Sequence, residues 1–445
     1  EMARLKYKYT EQNIVDLYFR KLRFRSSPGV DHVARDRFER IFDSEKDIIV
    51  RKVLAGEYHF SPFKEQLVLK GRGKEPRVIS LPTIRDKITL GLLKEILQEA
   101  FSGDFKDERT VHRIIYGLKD ELQIGKFDYF IRMDIKKFYP SIDHDELLRR
   151  LRRRIRDEKT LALILSAIRT PTVSEGIKAT IRNEKGIPEG LSISNVLADI
   201  YMLLLDDRLL SRKDIRYFRY VDDILILCDQ SKSEEIKKDM KRIAKRLHLE
   251  IHDKEKMQEG ILIDKPFDFL GYHVEKGKLS VKETSRKKLE RSLEQIFLEY
   301  KQTHYLPNSH NMLRWKLNLR ITGCIIDKKK YGWVFFFSQM DEISSLFALD
   351  WLVRKLIGRY GKRFGIDIPS VKRFVRTYHE ITENLSGTSY IPNFSEYSLE
   401  QKRNLLSEIY DKKLEGLDEV EIDKTFNRVI FKSVRDLEKD LQALS

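Results

Sequence analysis

A chain of 445 residues with 41% hydrophobic content carries enough apolar surface for two or three packed units rather than one small domain. Its 86 Lys and Arg against 70 Asp and Glu give a formal net charge of +16, which favours a polyanionic partner through phosphate neutralisation and counterion release. Two cysteines, Cys228 and Cys324, exclude a disulfide framework and a multi-cysteine zinc site. No run of about twenty apolar residues suggests a membrane span, and the first ten residues lack the apolar core of a secretion signal, so the expected compartment is the cytoplasm.

In chain order, Thr10 to Phe24 reads as a basic amphipathic helix and Arg35 to Leu54 as a second helix. Phe63 to Leu69 and Arg77 to Leu81 are predicted strands around a basic turn, Lys70 to Lys74. Pro82 closes the pair and a helix follows from Ile84 to Phe101. Tyr129 to Ile135 is a mostly apolar run of strand length. Asp143 to Glu146 has the form of a capping box, followed by Leu147, Leu151 and Ile155 at helical spacing. Ser194 to Leu205 is apolar almost all round, the mark of a buried helix. Tyr217 to Leu227 reads as two strands flanking a turn. After Gly271 the pattern turns helical: Leu289, Leu293, Ile296, Phe297 and Tyr300 form a stripe, with Arg286, Lys287, Lys288 and Arg291 off it. An aromatic-rich segment spans Trp315 to Phe337, and helices are expected from Asp341 to the end. The fold class is α+β.

Asp134 closes one apolar strand, and Asp222 with Asp223 interrupts another. An ionised carboxylate beside a sheet core is expensive to desolvate unless a cation compensates it. Successive strand residues point to opposite faces, so only a tight turn brings adjacent aspartates near one ion. Hard divalent ions such as Mg²⁺ take carboxylate and phosphate oxygens, and two of them about 4 Å apart activate an attacking hydroxyl and stabilise a leaving oxygen. Singly, an Asp-Asp turn or a strand-end Asp is ordinary. Gly186 to Ser192 feeds directly into the buried helix; its two glycines and Pro188 fix an unusual backbone that permits close approach of a ligand. The basic hairpin Lys70 to Lys74, followed by Arg77, has the charges to clamp a triphosphate.

The order of these pieces resembles that of reverse transcriptases. Arg132 to Tyr139 resembles their first palm motif, Gly186 to Ser194 the second, and Phe218 to Asp223 the third, the YxDD box. Phe269, Leu270, Gly271 and Tyr272 are similar to the primer grip, and Pro76 to Asp86 to the fingers motif of bacterial members. The likeness runs from about Pro28 to Val281. It implies a right-hand polymerase with fingers in 1–125, palm in 126–275, helical thumb in 276–345 and a helical C-terminal region in 346–445. Asp134, Asp222 and Asp223 are implied as catalytic, with Ile135 beside them in a set binding two Mg²⁺ or Mn²⁺ ions. Phe138 and Tyr139 match the nucleotide site, Tyr139 as the aromatic gate that screens the sugar 2′-position. Arg77 matches the arginine that contacts the triphosphate, Lys70 or Lys74 its lysine neighbour, and Lys254 or Lys256 the general acid for pyrophosphate. The second motif commonly reads Pro-Gln-Gly, whereas here it is Pro188, Glu189, Gly190. An acid in place of the amide alters charge and hydrogen bonding near the incoming nucleotide.

Gly56 to Pro62 and Leu191 to Ala198 look like the diverse bacterial group of defence-associated and abortive-infection reverse transcriptases. That resemblance implies an RNA template, a companion noncoding RNA, deoxynucleoside triphosphates as substrates and a DNA product, in antiphage defence. A group II intron-like mobile-element enzyme and a catalytically silent RNA-binding scaffold are the alternatives. Arg149, Arg152 and Arg153 after the capping box, and Arg286, Lys287 and Arg291 in the thumb, are candidate nucleic-acid contacts. The C-terminal region leaves open an RNA, a protein partner or a second copy of the chain.

Overall fold

The computed structural model describes residues 2–24, 27–69, 75–105, 110–176, 181–252, 257–362, 371–410 and 414–441. It divides into two compact units: Glu1–Arg109 with Phe127–Gly260, and Thr110–Lys126 with Ile261–Ser445.

The first unit holds two sheets among its described residues. The strands are β1 (Phe63–Val68), β2 (Arg77–Leu81), β3 (Tyr129–Asp134), β4 (Thr172–Val173), β5 (Ile215–Tyr220), β6 (Asp223–Cys228) and β7 (Gln258–Ile261). β1 pairs antiparallel with β2, as the basic hairpin requires, and parallel with β4. The other sheet has the order β5-β6-β3-β7. Every residue of β6 is buried, which explains its unbroken apolar run: a central strand covered on both faces has no polar side to show. The helix Ser194–Leu210, apolar as expected, packs on β5 and on the helix His144–Leu151.

The helix Ile84–Ala100 is seated by an internal polar knot. Thr83 caps it by accepting from the Asp86 N–H, and the buried Asp86 carboxylate accepts from Tyr58 Oη at 2.7 Å, Thr83 Oγ1 at 2.8 Å and the Ser61 N–H at 3.1 Å. Burial pushes Asp86 up to about 6 even though these donors oppose the shift. The knot fixes the approach to β1, so Asp86 acts within the framework rather than toward solvent.

Several expectations are corrected. The helix over Arg35 to Leu54 is two, Arg35–Arg40 and Phe42–Ala55, broken where Ile41 leaves helical backbone at φ −110°, ψ 12°. Thr10 caps the first expected helix, which runs as α-helix over Glu11–Leu17 and widens into a π-turn over Tyr18–Leu22. Asp143 caps by accepting from the Glu146 N–H at 2.8 Å, but the return half of the box is replaced. The Glu146 carboxylate is held instead by Arg150 at 2.6 Å and Arg149 at 2.7 Å, and the helix stops at Leu151. Helices Val111–Ile124, Glu158–Arg169 and Ser233–Arg246 were not anticipated, although Ile236, Met240 and Ile243 recur at helical spacing.

In the second unit the helical pattern begins at Glu283 rather than after Gly271. β8 (Phe267–Phe269), β9 (Tyr272–Glu275) and β10 (Lys278–Val281) intervene as an antiparallel meander. Both its turns have positive φ at each central residue, Leu270 and Gly271, then Lys276 and Gly277, the geometry that matches strand twist in two-residue hairpins. The stripe from Leu289 to Tyr300 is buried as expected on helix Glu283–Thr303. The aromatic-rich segment forms helix Ser309–Thr322, the hairpin of β11 (Cys324–Ile326) with β12 (Lys329–Tyr331), and a short helix whose Trp333 and Phe335, with Phe337, are core. Helices Leu399–Glu408 and Glu419–Glu438 enclose a separate core with Cys324 and Phe394. No helix among the described residues is long and apolar enough to cross a membrane.

Candidate active site

Backbone register assembles the carboxylates. In the β3–β6 ladder Asp134 stands opposite Asp223, and in the β5–β6 ladder Tyr220 stands opposite the same Asp223. Val221 and Asp222 are therefore the two residues of a tight hairpin. Val221 has φ 57°, a left-handed backbone that a β-branched residue adopts only under constraint. The constraint is Arg219. Its guanidinium donates to both carboxylate oxygens of Asp206 at 2.7 and 2.6 Å, to Asp199 Oδ1 at 3.2 Å and to the Val221 carbonyl at 2.8 Å. Tyr217 Oη also donates to Asp206 at 2.9 Å. The turn is thus tied to the buried helix that carries Asp199 and Asp206.

Burial pushes the Asp222 carboxyl up to about 6, and the charges of Asp223 and Asp134 push the same way, while Arg77 opposes them. Asp223 is 9% exposed and its Oδ1 accepts from Arg132 at 3.2 Å. Asp134 is more open, with His252 Nε2 at 3.9 Å from Oδ2. The Ile135 side chain is buried and apolar, so only its carbonyl has ligand chemistry. Carboxylates are the ligand type that hard divalent cations take, and Asp222 is charged against both Asp223 and Asp134 at the end of an apolar sheet. Among the described residues no group of three or more His, Cys, Asp or Glu side chains is placed so that it alone could hold a metal ion. Hard ions that also take phosphate oxygens and water do not require one.

The second motif folds against this end of the sheet. The Gly186 N–H donates to the Ile142 carbonyl at 2.8 Å and the Ile187 N–H to the Tyr139 carbonyl at 3.0 Å. Gly186 has φ 84°, and a Cβ there would meet Pro140 Cα at 2.9 Å. Gly190 has φ 100°, and its Cβ would fall 2.6 Å from Ile79 Cγ2, so the loop lies directly on β2. The Ser80 N–H donates to the Glu189 carbonyl at 2.7 Å, and Arg77 Nε donates to the Glu189 carboxylate. Phe138 and Tyr139 are buried on a short helix entered through left-handed Lys137 at φ 45°. Tyr139 Oη donates to Asn195 Oδ1 at 2.6 Å. Burial raises the Tyr139 hydroxyl well above its usual range, and Glu189 and Asp222 add to the effect. Arg77, Glu189, Tyr139 and the aspartates are thereby brought together.

Other candidates are placed differently. Lys70, Lys74, Lys254 and Lys256 lie outside the described residues. Phe269, Leu270 and Tyr272 are buried in the second unit, where Tyr272 Oη donates to the Phe336 carbonyl at 2.7 Å, while Gly271 shares the hairpin turn with Leu270. Arg149 pairs with Glu146, Arg152 with Glu158 at 3.5 Å and Arg154 with Asp104 at 2.8 Å; Arg153 is exposed. Arg286 pairs with Glu290 at 3.2 Å and Lys287 with Glu283 at 2.6 Å, and Arg291 is exposed. Sequence reasoning missed Arg219, Asp199, Asp206, Arg132 and Asn195. The signal was present: Asp199 and Asp206 stand two turns apart on one face of a largely apolar helix.

Residues 68–274 match the family model described as reverse transcriptase (RNA-dependent DNA polymerase). The match, a little under half of the chain, takes in β2, the β5-β6-β3-β7 sheet and the β8–β9 turn, and makes that segment similar to reverse transcriptases. Protein YkfC of Escherichia coli is 24% identical over 250 residues, covering 47% of this chain and 65% of that protein. The group II intron-encoded protein LtrA of Lactococcus lactis is 25% identical over 229 residues, covering 46% and 38%. The putative COX1/OXI3 intron 1 protein of Saccharomyces cerevisiae is 26% identical over 281 residues, covering 49% and 33%. The chain thus spans a third to two thirds of the length of these relatives. Among solved structures, telomerase from Candida albicans in complex with a TWJ fragment of telomeric RNA aligns over 92% of this chain and 68% of its own, with 13% identity and a TM-score of 0.46.

Two outcomes test this geometry. Removing one member of a buried charge network strands the others, so Arg219→Ala is expected to lose about 3–5 kcal/mol in urea denaturation, and Arg219→Lys to restore only part of it. For Asp222, the folded value of about 6 exceeds the ordinary 3.8, so between those pH values the folded chain keeps a proton that the unfolded chain has released. Ionisation therefore opposes folding above about pH 6, and the penalty fades as pH falls toward 4. Asp222→Asn should stabilise the metal-free protein by roughly 1–3 kcal/mol at neutral pH, a gain that vanishes near pH 4 in melting curves with a chelator present.

Proposed function

We propose that this protein is an RNA-directed DNA polymerase that extends a primer with deoxynucleotides. The observation that carries the reading is the register of β3 on β6, which places Asp134 opposite Asp223 with Asp222 at the adjoining turn. Asp134, Asp222, Asp223 and the Ile135 carbonyl would hold Mg²⁺, or Mn²⁺ in its place. Two such ions, when bound, activate the primer hydroxyl and neutralise charge on the departing pyrophosphate. The chain's own residues bind and orient. Arg77 offers its guanidinium to the triphosphate, and Tyr139, fixed through Asn195, sets the room available at the sugar 2′-position. Arg132 and Arg219 hold the Asp223 side chain and the turn in place.

In this reading residues 1–125 serve as fingers, 126–275 as palm, 276–345 as thumb and 346–445 as an RNA- or partner-binding region. Turn Phe269 to Tyr272 would support the primer, and Arg149, Arg152, Arg153, Arg286, Lys287 and Arg291 would meet nucleic-acid backbone. The template in this reading is a companion noncoding RNA, copied in the cytoplasm for antiphage defence. The support is the likeness of Gly56 to Pro62 and Leu191 to Ala198 to defence-associated enzymes. The similarity to intron-encoded proteins favours a second reading, a mobile-element enzyme that copies the RNA encoding it.

Purified protein supplied with its accompanying RNA, Mg²⁺ and labelled deoxynucleotides should make DNA complementary to that RNA, and sequencing the product identifies the template. The double variant Asp222→Ala with Asp223→Ala should lose incorporation by at least about a thousandfold while retaining the RNA; full activity in it would remove the aspartates from the mechanism. In Tyr139→Ala, ribonucleotides should be incorporated at a rate approaching that of deoxynucleotides, measured by product length with each nucleotide set. An unchanged preference would take the gate away from Tyr139.

A further inference from the structure

The acid at the centre of the second motif has a specific partner. Arg77 Nε donates to the Glu189 carboxylate, and both residues are held by backbone rather than meeting as mobile surface side chains. Arg77 lies on β2 in register with Val68. Glu189 is anchored through its carbonyl to the Ser80 N–H at 2.7 Å, between Pro188, whose carbonyl accepts from Ser194 Oγ at 2.7 Å, and Gly190, pressed on Ile79. The Arg77 side chain keeps 35% and the Glu189 side chain 22% of their exposure, so the pair is partly withdrawn from water yet open to a ligand. The loop that carries Glu189 is bonded to Tyr139 through the Ile187 N–H at 3.0 Å, so the pair stands beside the short helix that follows the Asp134 strand.

We infer that Glu189 is an internal anionic competitor for the guanidinium that would take the nucleotide triphosphate, and so sets how tightly the enzyme binds its nucleotide. The inference rests on the polymerase reading. Arg77 has a rigid fork of donors suited to a planar or phosphate anion, and the carboxylate already satisfies its Nε. An arriving triphosphate must draw Arg77 away from Glu189 or settle beside a fixed like charge; both weaken ground-state binding. A neutral amide at this position would still accept a hydrogen bond but would leave the positive charge of Arg77 uncompensated, ready for phosphate. Glu189 is accordingly a specificity-setting residue that acts through Arg77 and takes no part in bond formation.

The test uses the full chain with Arg77→Ala, Glu189→Gln and their combination, beside the unaltered protein. Glu189→Gln is isosteric and preserves the anchored loop. Two quantities are measured: equilibrium binding of a fluorescent deoxyadenosine triphosphate, and KM and kcat for single-nucleotide incorporation on a poly(rA)/oligo(dT) duplex with thymidine triphosphate. Glu189→Gln should tighten nucleotide binding and lower KM about five- to twentyfold with a smaller change in kcat, and the gain should disappear in the Arg77→Ala background. A merely structural role would lower kcat and stability without tightening binding. Incorporation by the unaltered protein with KM unchanged or raised in Glu189→Gln overturns this inference alone. Absence of both nucleotide binding and incorporation in all four proteins overturns the polymerase reading and this inference with it.

Discussion

The structure depends on one constraint: three ionisable carboxylates must sit where an apolar sheet ends. The antiparallel pairing of β3 with β6 makes that unavoidable, because register opposes Asp134 and Asp223 and leaves Asp222 in the adjoining hairpin. Burial and mutual repulsion both work against Asp222 carrying its charge. Local energetics alone would not keep such a cluster, so the surroundings must hold it in place. Arg132 meets Asp223 directly, while Arg219 bonds the Val221 carbonyl of the turn and is itself held by two further acids on the buried helix. Basic and acidic residues therefore alternate outward from the site, each layer compensating the one inside it.

Backbone strain follows the same plan. Val221 and Lys137 take left-handed conformations with side chains that ordinarily avoid them, one at the aspartate turn and one just before Tyr139. Gly186 and Gly190 take theirs without penalty, and there the gain is proximity: neither position has room for a side chain. The second-motif loop is consequently close enough to β2 for Glu189 to reach Arg77. Conformational freedom at the glycines and enforced strain at the other two positions serve one end, which is to bring chain segments distant in sequence to a single point.

Much of this was legible beforehand because it is written in local pattern. The unbroken apolar run of β6, the apolar helix from Ser194 and the paired strands around the basic turn each have one stable solution, and each forms. What escaped was of two kinds. Helix ends depend on which side chain wins a given partner: Glu146 serves Arg150 instead of completing the box begun by Asp143, and no spacing rule weighs that competition. The meander after Phe267 escaped because Leu270 and Lys276 take positive φ, which hides two turns that Gly271 and Gly277 alone only hint at. Within the site, the aspartates, Tyr139 and Arg77 could be named from motif order. The residues that brace them could not, since the partnership of Arg219 with Asp199 and Asp206 exists only once the helix lies along β5.

The helix Val111–Ile124 gives the chain an interlaced connectivity. Although it lies in sequence between two stretches of the first unit, it belongs to the second. There Lys119 pairs with Asp341 at 2.6 Å and donates to the Gln339 carbonyl at 3.1 Å, while Gln339 bonds His112 at 2.9 Å. During synthesis this helix leaves the ribosome more than two hundred residues before those partners exist, with Ile114, Ile115 and Leu118 still to be covered. Neither unit is contiguous in sequence, so trimming the chain to its recognisable domain would not isolate a self-sufficient body. It would leave an orphaned amphipathic helix, and with it a sticky surface that the intact protein never shows.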